Sequence, residues 1–150
     1  MNIIILTLLF TVLDQLSKLL VLHNIHNNIE IIKNFFYLTY AQNEGAAFSI
    51  FTGKRFFLII ITIIIIGLIL YYIRKNKVKE KLNILAFSLV LGGAIGNLID
   101  RIVRGYVVDF ISVKIFNYNF PIFNLGDTFI CIGVFLLLII SLRKDNKHDN

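Results

Sequence analysis

The chain has 150 residues, is 57% hydrophobic and only 16% charged, and has a mean hydropathy of +0.80. That balance excludes an ordinary soluble domain. The net charge of +6 reads as membrane topology and not as nucleic-acid binding, because the cations crowd the ends of long apolar runs.

The first apolar run, 3–22, is long enough to cross a bilayer. Asp14, Gln15 and Lys18 interrupt it. With no basic residues ahead of it and no small-residue cleavage site, it reads as a span and not as a cleaved leader. Asp14 and Lys18 are four residues apart, so they share a helix face in the favourable acid-first order. Charges inside a membrane face the bundle interior and mark either a structural lock or a working site. A lock is the favoured reading for this pair. His23 and His26 follow, too sparse for a metal site, and no metal or other cofactor is expected.

A longer connection, 23–55, comes next. Its segment 31–40 is rich in β-branched and aromatic residues and predicts a strand, one that suits a membrane surface. "NEGAAFS" at 43–49 breaks that pattern. It is either a turn at a strand end or a loop whose backbone comes close to a ligand. The second span, 56–73, carries no charge. Arg74, Lys75, Lys77, Lys79 and Lys81 follow it, and Arg143, Lys144 and Lys147 follow the fourth span. Cytoplasmic ends collect such residues, which puts both termini inside and the connections 23–55 and 102–125 outside.

The third span, 82–101, contains "SLVLGGAIGNLIDR". Ser88, Gly92 and Gly96 make a stripe of small residues for close helix packing. Asn97, Asp100 and Arg101 lie one turn beyond it on one face and should point into the bundle. In the connection 102–125, Asp109 alternates onto a face with Val107, Ile111 and Val113 if the chain is extended. "NYN" at 117–119 suits a hairpin turn that would bring the chain back through Phe123 and set Asp127 near Asp109. The fourth span, 126–142, opens on Asp127 and contains the lone Cys131, expected to serve packing.

Two carboxylates in a dry site share one proton readily, because like charge and desolvation raise one of the two pKa values. Such a pair offers a base to activate water and an acid to polarise a peptide carbonyl, without a metal. The alternative is that the two acids are unrelated. Asp127 followed by Thr128 would then simply cap its helix.

Five segments, in order, resemble bacterial lipoprotein signal peptidase, the family called signal peptidase II: "DQLSK" at 14–18, "NEGAAFS" at 43–49, "GGAIGNLIDR" at 92–101, "GYVVDF" at 105–110 and "FNLGDT" at 123–128. The resemblance covers nearly the whole chain. It implies an all-α membrane protein, four transmembrane helices with a small β-sheet cradle on the outer surface, forming one domain over 1–150. It implies an aspartyl endopeptidase of the bacterial cytoplasmic membrane that cuts a diacylglyceryl-modified prolipoprotein just before its lipidated cysteine. By motif, Asp109 and Asp127 are the catalytic pair. Asn43, Gly45, Asn97, Arg101 and Asn124 support substrate and dyad, while Asp14, Lys18 and Asp100 look structural. The implied partners are the prolipoprotein, membrane lipids and globomycin-type inhibitors; a monomer is the simplest expectation for the assembly. Where the family commonly has Ala and Ser around the second acid, this chain has Gly126 and Thr128.

Two other classes compete. A small transporter or channel subunit would use Asp14, Lys18, Asp100 and Arg101 as an ion path. It needs polar groups through the midplane of several spans, and the second and fourth spans have almost none. A non-catalytic lipid-binding scaffold would tolerate loss of either dyad acid but not disruption of the Gly92/Gly96 stripe.

Overall fold

The computed structural model of the protein describes residues 2–45, 50–116 and 118–145. Its helices are α1 (Ile3–Asn24), α2 (Arg55–Lys75), α3 (Lys81–Val103) and α4 (Leu125–Asp145). All four are long and apolar enough to span a membrane. Four strands, β1 (Ile29–Ile32), β2 (Phe36–Asn43), β3 (Val107–Ile115) and β4 (Tyr118–Asn119), form an antiparallel sheet in the order β1-β2-β3-β4.

α3 is the hub, and its glycines make it so. A Cβ on Gly92 would collide with the Phe10 Cβ of α1 and press on the Thr7 carbonyl. One on Gly96 would strike the Asp14 carboxylate, and one on Gly93 would strike the Gly126 carbonyl of α4. Gly133 repeats this from the α4 side, against the Ala86 carbonyl and Val90. Bare backbone therefore lets α1 and α4 approach α3 on two faces. Thr11 Oγ1 adds a cross-helix hydrogen bond to the Gly92 carbonyl (3.3 Å).

α2 is different. Within its apolar window only 6% of residues are buried, against 67% in α3. Leu58 is its one buried side chain, and Tyr72 packs on Phe87 of α3 at 5.7 Å between ring centroids. Its isoleucine-rich remainder is exposed, which in a bilayer means exposed to hydrocarbon. Cys131 is also exposed on α4, so it serves no packing inside the bundle.

The segment expected as one strand at 31–40 is a hairpin. Residues 33–35 turn the chain between β1 and β2. Asn34 adopts φ 56°, which asparagine tolerates better than most residues, and its N–H donates to the Glu30 carboxylate at 2.6 Å. β2 then pairs with β3 from Phe36↔Val113 to Asn43↔Val107. A β3–β4 hairpin forms near the turn expected at 117–119, but Tyr118 and Asn119 are strand and not turn, paired with Ile115 and Lys114; Asn117 itself lies outside the described residues. The returning chain bridges Phe123 to Ile111, with the Ile111 N–H donating to the Phe123 carbonyl at 2.7 Å.

Val108 and Phe110, on one face of β3, pack with Val21 and Ile25 at the end of α1. That contact seats the sheet on the bundle. Val107 and Asp109 occupy the opposite face and are buried as well, because helices and returning chain cover it. At the far end of the bundle, Arg74, Lys75, Lys77, Lys79 and Lys81 are all exposed.

Candidate active site

α4 starts where the returning chain reaches the bundle. Asn124 immediately precedes its first helical residue. The Asp127 N–H donates to Asn124 Oδ1 (2.9 Å), and the Asn124 N–H donates to Asp127 Oδ2 (3.2 Å). This reciprocal pair is a capping box built from Asn and Asp. Asp127 therefore does cap its helix, but only Oδ2 is used. Its Oδ1 accepts from Asn97 Nδ2 on α3 at 2.8 Å.

Asp109 arrives from β3 and is 2% exposed. Its Oδ1 accepts from Asn124 Nδ2 (2.6 Å) and its Oδ2 from Asn43 Nδ2 (2.8 Å). Asn124 thus joins the two acids. Burial, reinforced by the negative charge of Asp127, pushes the Asp109 carboxyl up to about 6, and donation from Asn43 and Asn124 offsets only part of that rise.

Three asparagines hold the two carboxylates, and each is oriented the same way. An amide has a donor end and an acceptor end, so one that donates to a carboxylate needs a donor behind its oxygen. For Asn124 that donor is the Asp127 N–H, and for Asn43 it is the Gly45 N–H (2.9 Å). For Asn97 it is the Lys18 ammonium (2.7 Å), with Asn124 Nδ2 more distant at 3.3 Å. Arg101 donates to the Gly45 carbonyl (3.0 Å), and its charge interacts with both Asp127 and Asp109. The rest of the "NEGAAFS" motif, 46–49, lies outside the described residues.

Beneath this cluster sits a second one. Lys18, wholly buried, pairs with Asp14 (2.8 Å) and Asp100 (3.1 Å), and Arg104 pairs with Asp100. Gln15 Nε2 donates to Asp100 Oδ1 and to the Gly96 carbonyl, both at 3.0 Å. Asp100 Oδ2 accepts the Val108 N–H (3.0 Å) and Asp14 Oδ1 accepts the Gly126 N–H (2.7 Å). One network thereby ties α1 and α3 to β3 and to the start of α4. Gly126 is small for a local reason: a Cβ there would stand 2.9 Å from Asp14 Oδ1 and 3.1 Å from Asn124 Oδ1.

All ten residues singled out in the sequence lie in these two clusters. Gln15 and Arg104 were not among them. Arg104 was recoverable from its position four residues after Asp100. Arg55 was not among them either. It donates to the Arg101 carbonyl (2.6 Å) and the Ile102 carbonyl (2.8 Å), tying the start of α2 to the end of α3, and no sequence pattern announces that.

A family model described as "Signal peptidase (SPase) II" matches residues 6–143. The chain belongs to the signal peptidase II family. Two solved structures agree with it, both described as bacterial membrane enzyme structures obtained by the in meso method. One, at 2.3 Å resolution, is 39% identical with a TM-score of 0.88 and covers 99% of this chain and 91% of its own. The other, at 1.9 Å, is also 39% identical, with a TM-score of 0.83 and coverage of 93% and 92%. Signal peptidase II enzymes are aspartic peptidases, so the chain is a peptide hydrolase with a protein substrate, built on four membrane-length helices.

Proposed function

We propose that Asp109 and Asp127 are the catalytic pair of this signal peptidase II. The observation that carries the proposal is that Asn124 binds both acids while, among the described residues, neither forms an ion pair. The surrounding charges favour one proton on the pair. Asp14, Asp100, Asp109 and Asp127 face Lys18, Arg101 and Arg104, which leaves one acid in excess. Asp109 is the better proton holder because it is the more deeply buried. Asp127 sits at the start of α4 and is only partly buried.

In the proposed reaction, Asp127 takes a proton from water as its oxygen attacks the scissile carbonyl. Asp109 gives its proton to the carbonyl oxygen, forming a neutral tetrahedral diol. When the C–N bond breaks, the leaving nitrogen takes a proton from Asp127, the diol gives one back to Asp109, and the pair again holds one proton. The chain's own residues suffice, with no metal or cofactor. Asn43, Asn97 and Asn124 hold the acids. Arg101 and Gly45 form the wall against which an extended peptide would lie.

The proposed substrate is a prolipoprotein cleaved just before its diacylglyceryl-modified cysteine, with the acyl chains remaining in the bilayer. The dyad lies at the end of the bundle opposite the exposed 74–81 cations, which supports an outward-facing site in the cytoplasmic membrane with both termini inside. A monomer contains every group named, and cyclic peptides of the globomycin type are the expected inhibitors. The test is cleavage of purified lipid-modified precursor, with unlipidated precursor as control. Asp109→Asn and Asp127→Asn should each be folded and inactive. Near-normal cleavage by either would sink the dyad.

A further inference from the structure

Lys18 looks structural at first, yet it reaches the proposed dyad. Its ammonium has three protons and three acceptors: Asp14 Oδ2 (2.8 Å), Asp100 Oδ2 (3.1 Å) and Asn97 Oδ1 (2.7 Å). Asn97 in turn donates to Asp127 Oδ1. Of the three asparagines that hold the acids, Asn43 and Asn124 are oriented by backbone N–H groups that the fold supplies whatever the side chains. Asn97 alone is oriented chiefly by a charged side chain from another helix.

We infer that Lys18 is a positioning residue for catalysis: by holding the Asn97 amide with its oxygen inward, it keeps Nδ2 aimed at Asp127 and so fixes the attacking carboxylate. An ammonium only donates and a carboxylate only accepts, so the amide between them has one workable orientation. Without Lys18 the remaining contact to Asn97 Oδ1 among the described residues is the 3.3 Å one from Asn124, whose Nδ2 already serves Asp109 at 2.6 Å. Asn97 is then free to turn its oxygen toward Asp127, and acceptor would face acceptor. The pH behaviour should change too. The groups around Lys18 are Asp14 on α1, Asp100 with its partner Arg104 and neighbour Arg101 on α3, Asp109 on β3, and Asp127 on α4 through Asn97. Removing the cation takes away a charge that opposes protonation of Asp109.

This inference rests on the dyad proposed above. The deciding variant is Lys18→Met combined with Asp14→Asn, which removes one charge of each sign and leaves Asp100 paired with Arg104. It should remain folded in detergent, keep KM within about twofold and lose kcat by ~10- to 100-fold, the scale of a misplaced reacting group. In Lys18→Met alone, which keeps Asp14, the alkaline limb should move to higher pH. Arg104→Gln breaks the same network away from Asn97, and it should lower the thermal midpoint while costing kcat far less than the double variant does. A folded double variant with wild-type kcat overturns the inference. So does failure of every Lys18 variant to fold, which would make Lys18 a lock and nothing more. Asp127→Asn, assayed alongside, separates the two levels: activity there removes the dyad itself, whereas an inactive Asp127→Asn beside unimpaired Lys18 variants removes only the link through Asn97.

Discussion

The two polar clusters use the same kind of side chain, aspartate, to opposite ends. In the inner one, Asp14 and Asp100 each meet a cation, Lys18 serving both and Arg104 serving Asp100, and all three buried members are shut off from solvent. In the outer one, Asp109 and Asp127 are held by amides and backbone N–H groups, and Arg101 stands near without pairing. An acid locked to a cation ties helices together and fixes a fold. An acid held by neutral donors keeps its place while its proton stays exchangeable.

That contrast can be broken most forcefully at Asp14. Asp14→Ala leaves a buried ammonium short of a partner and the Gly126 N–H without its acceptor, so it should cost roughly 3–5 kcal/mol, seen as a large drop in thermal midpoint. Asp127→Asn, which strands no charge, should cost far less stability while abolishing cleavage. Equal destabilisation by the two would erase the distinction between the clusters.

The helix seam that carries both clusters is the next target. Gly93→Ala and Gly96→Ala place a methyl against the Gly126 carbonyl and the Asp14 carboxylate, and each should destabilise by ~1–3 kcal/mol. Gly93→Ala should also impair cleavage, since it pushes away the start of α4, where Asp127 sits. Differential scanning fluorimetry beside the peptide assay checks both.

A subtler effect concerns pH. The Asp109 carboxyl is raised to about 6 in the folded protein from an ordinary 3.8, so the folded state binds the proton more tightly than the unfolded chain. Stability from this group is fully present below about pH 4, is lost as the pH climbs toward 6 and changes no further above that; the total is up to ~3 kcal/mol. Asp109→Asn cannot titrate, so the gap between wild-type and variant melting temperatures should shift over that window and level off above it. A constant gap from pH 4 to 7 would mean that Asp109 is not perturbed. Cleavage should likewise decline on the alkaline side as the pair loses its last proton. The smallest effect belongs to α2. A Cβ at Gly67 meets nothing within 4 Å, so Gly67→Ala should be neutral or stabilising by up to ~1 kcal/mol.

Much of this was legible in advance, for identifiable reasons. The spans declare themselves by uncharged length, and the Ser88–Gly92–Gly96 stripe by its spacing, since membrane helices pack by what their side chains leave out. Asp109's place on the Val107 face follows from strand alternation. The 29–43 hairpin was missed because Lys33-Asn34 is a weak turn signal inside a run that otherwise reads as continuous strand. Arg55 escaped for another reason. Its partners are carbonyls of residues 101 and 102, far along the chain, and carbonyl groups leave no trace in a sequence. Lys18 was recognised as a lock from its spacing to Asp14, but its contact with Asn97 crosses helices and appears only in three dimensions.

The three asparagines have one more consequence. Amides do not titrate, so the mould around the acids keeps the same pattern of donors whichever acid carries the proton. In the proposed cycle the proton moves from Asp109 to the substrate and returns, while Asn43, Asn97 and Asn124 need not reorient. A site built this way has little reorganisation energy to supply during bond making and breaking. Histidines or further carboxylates in those positions would have had to change partners at each step.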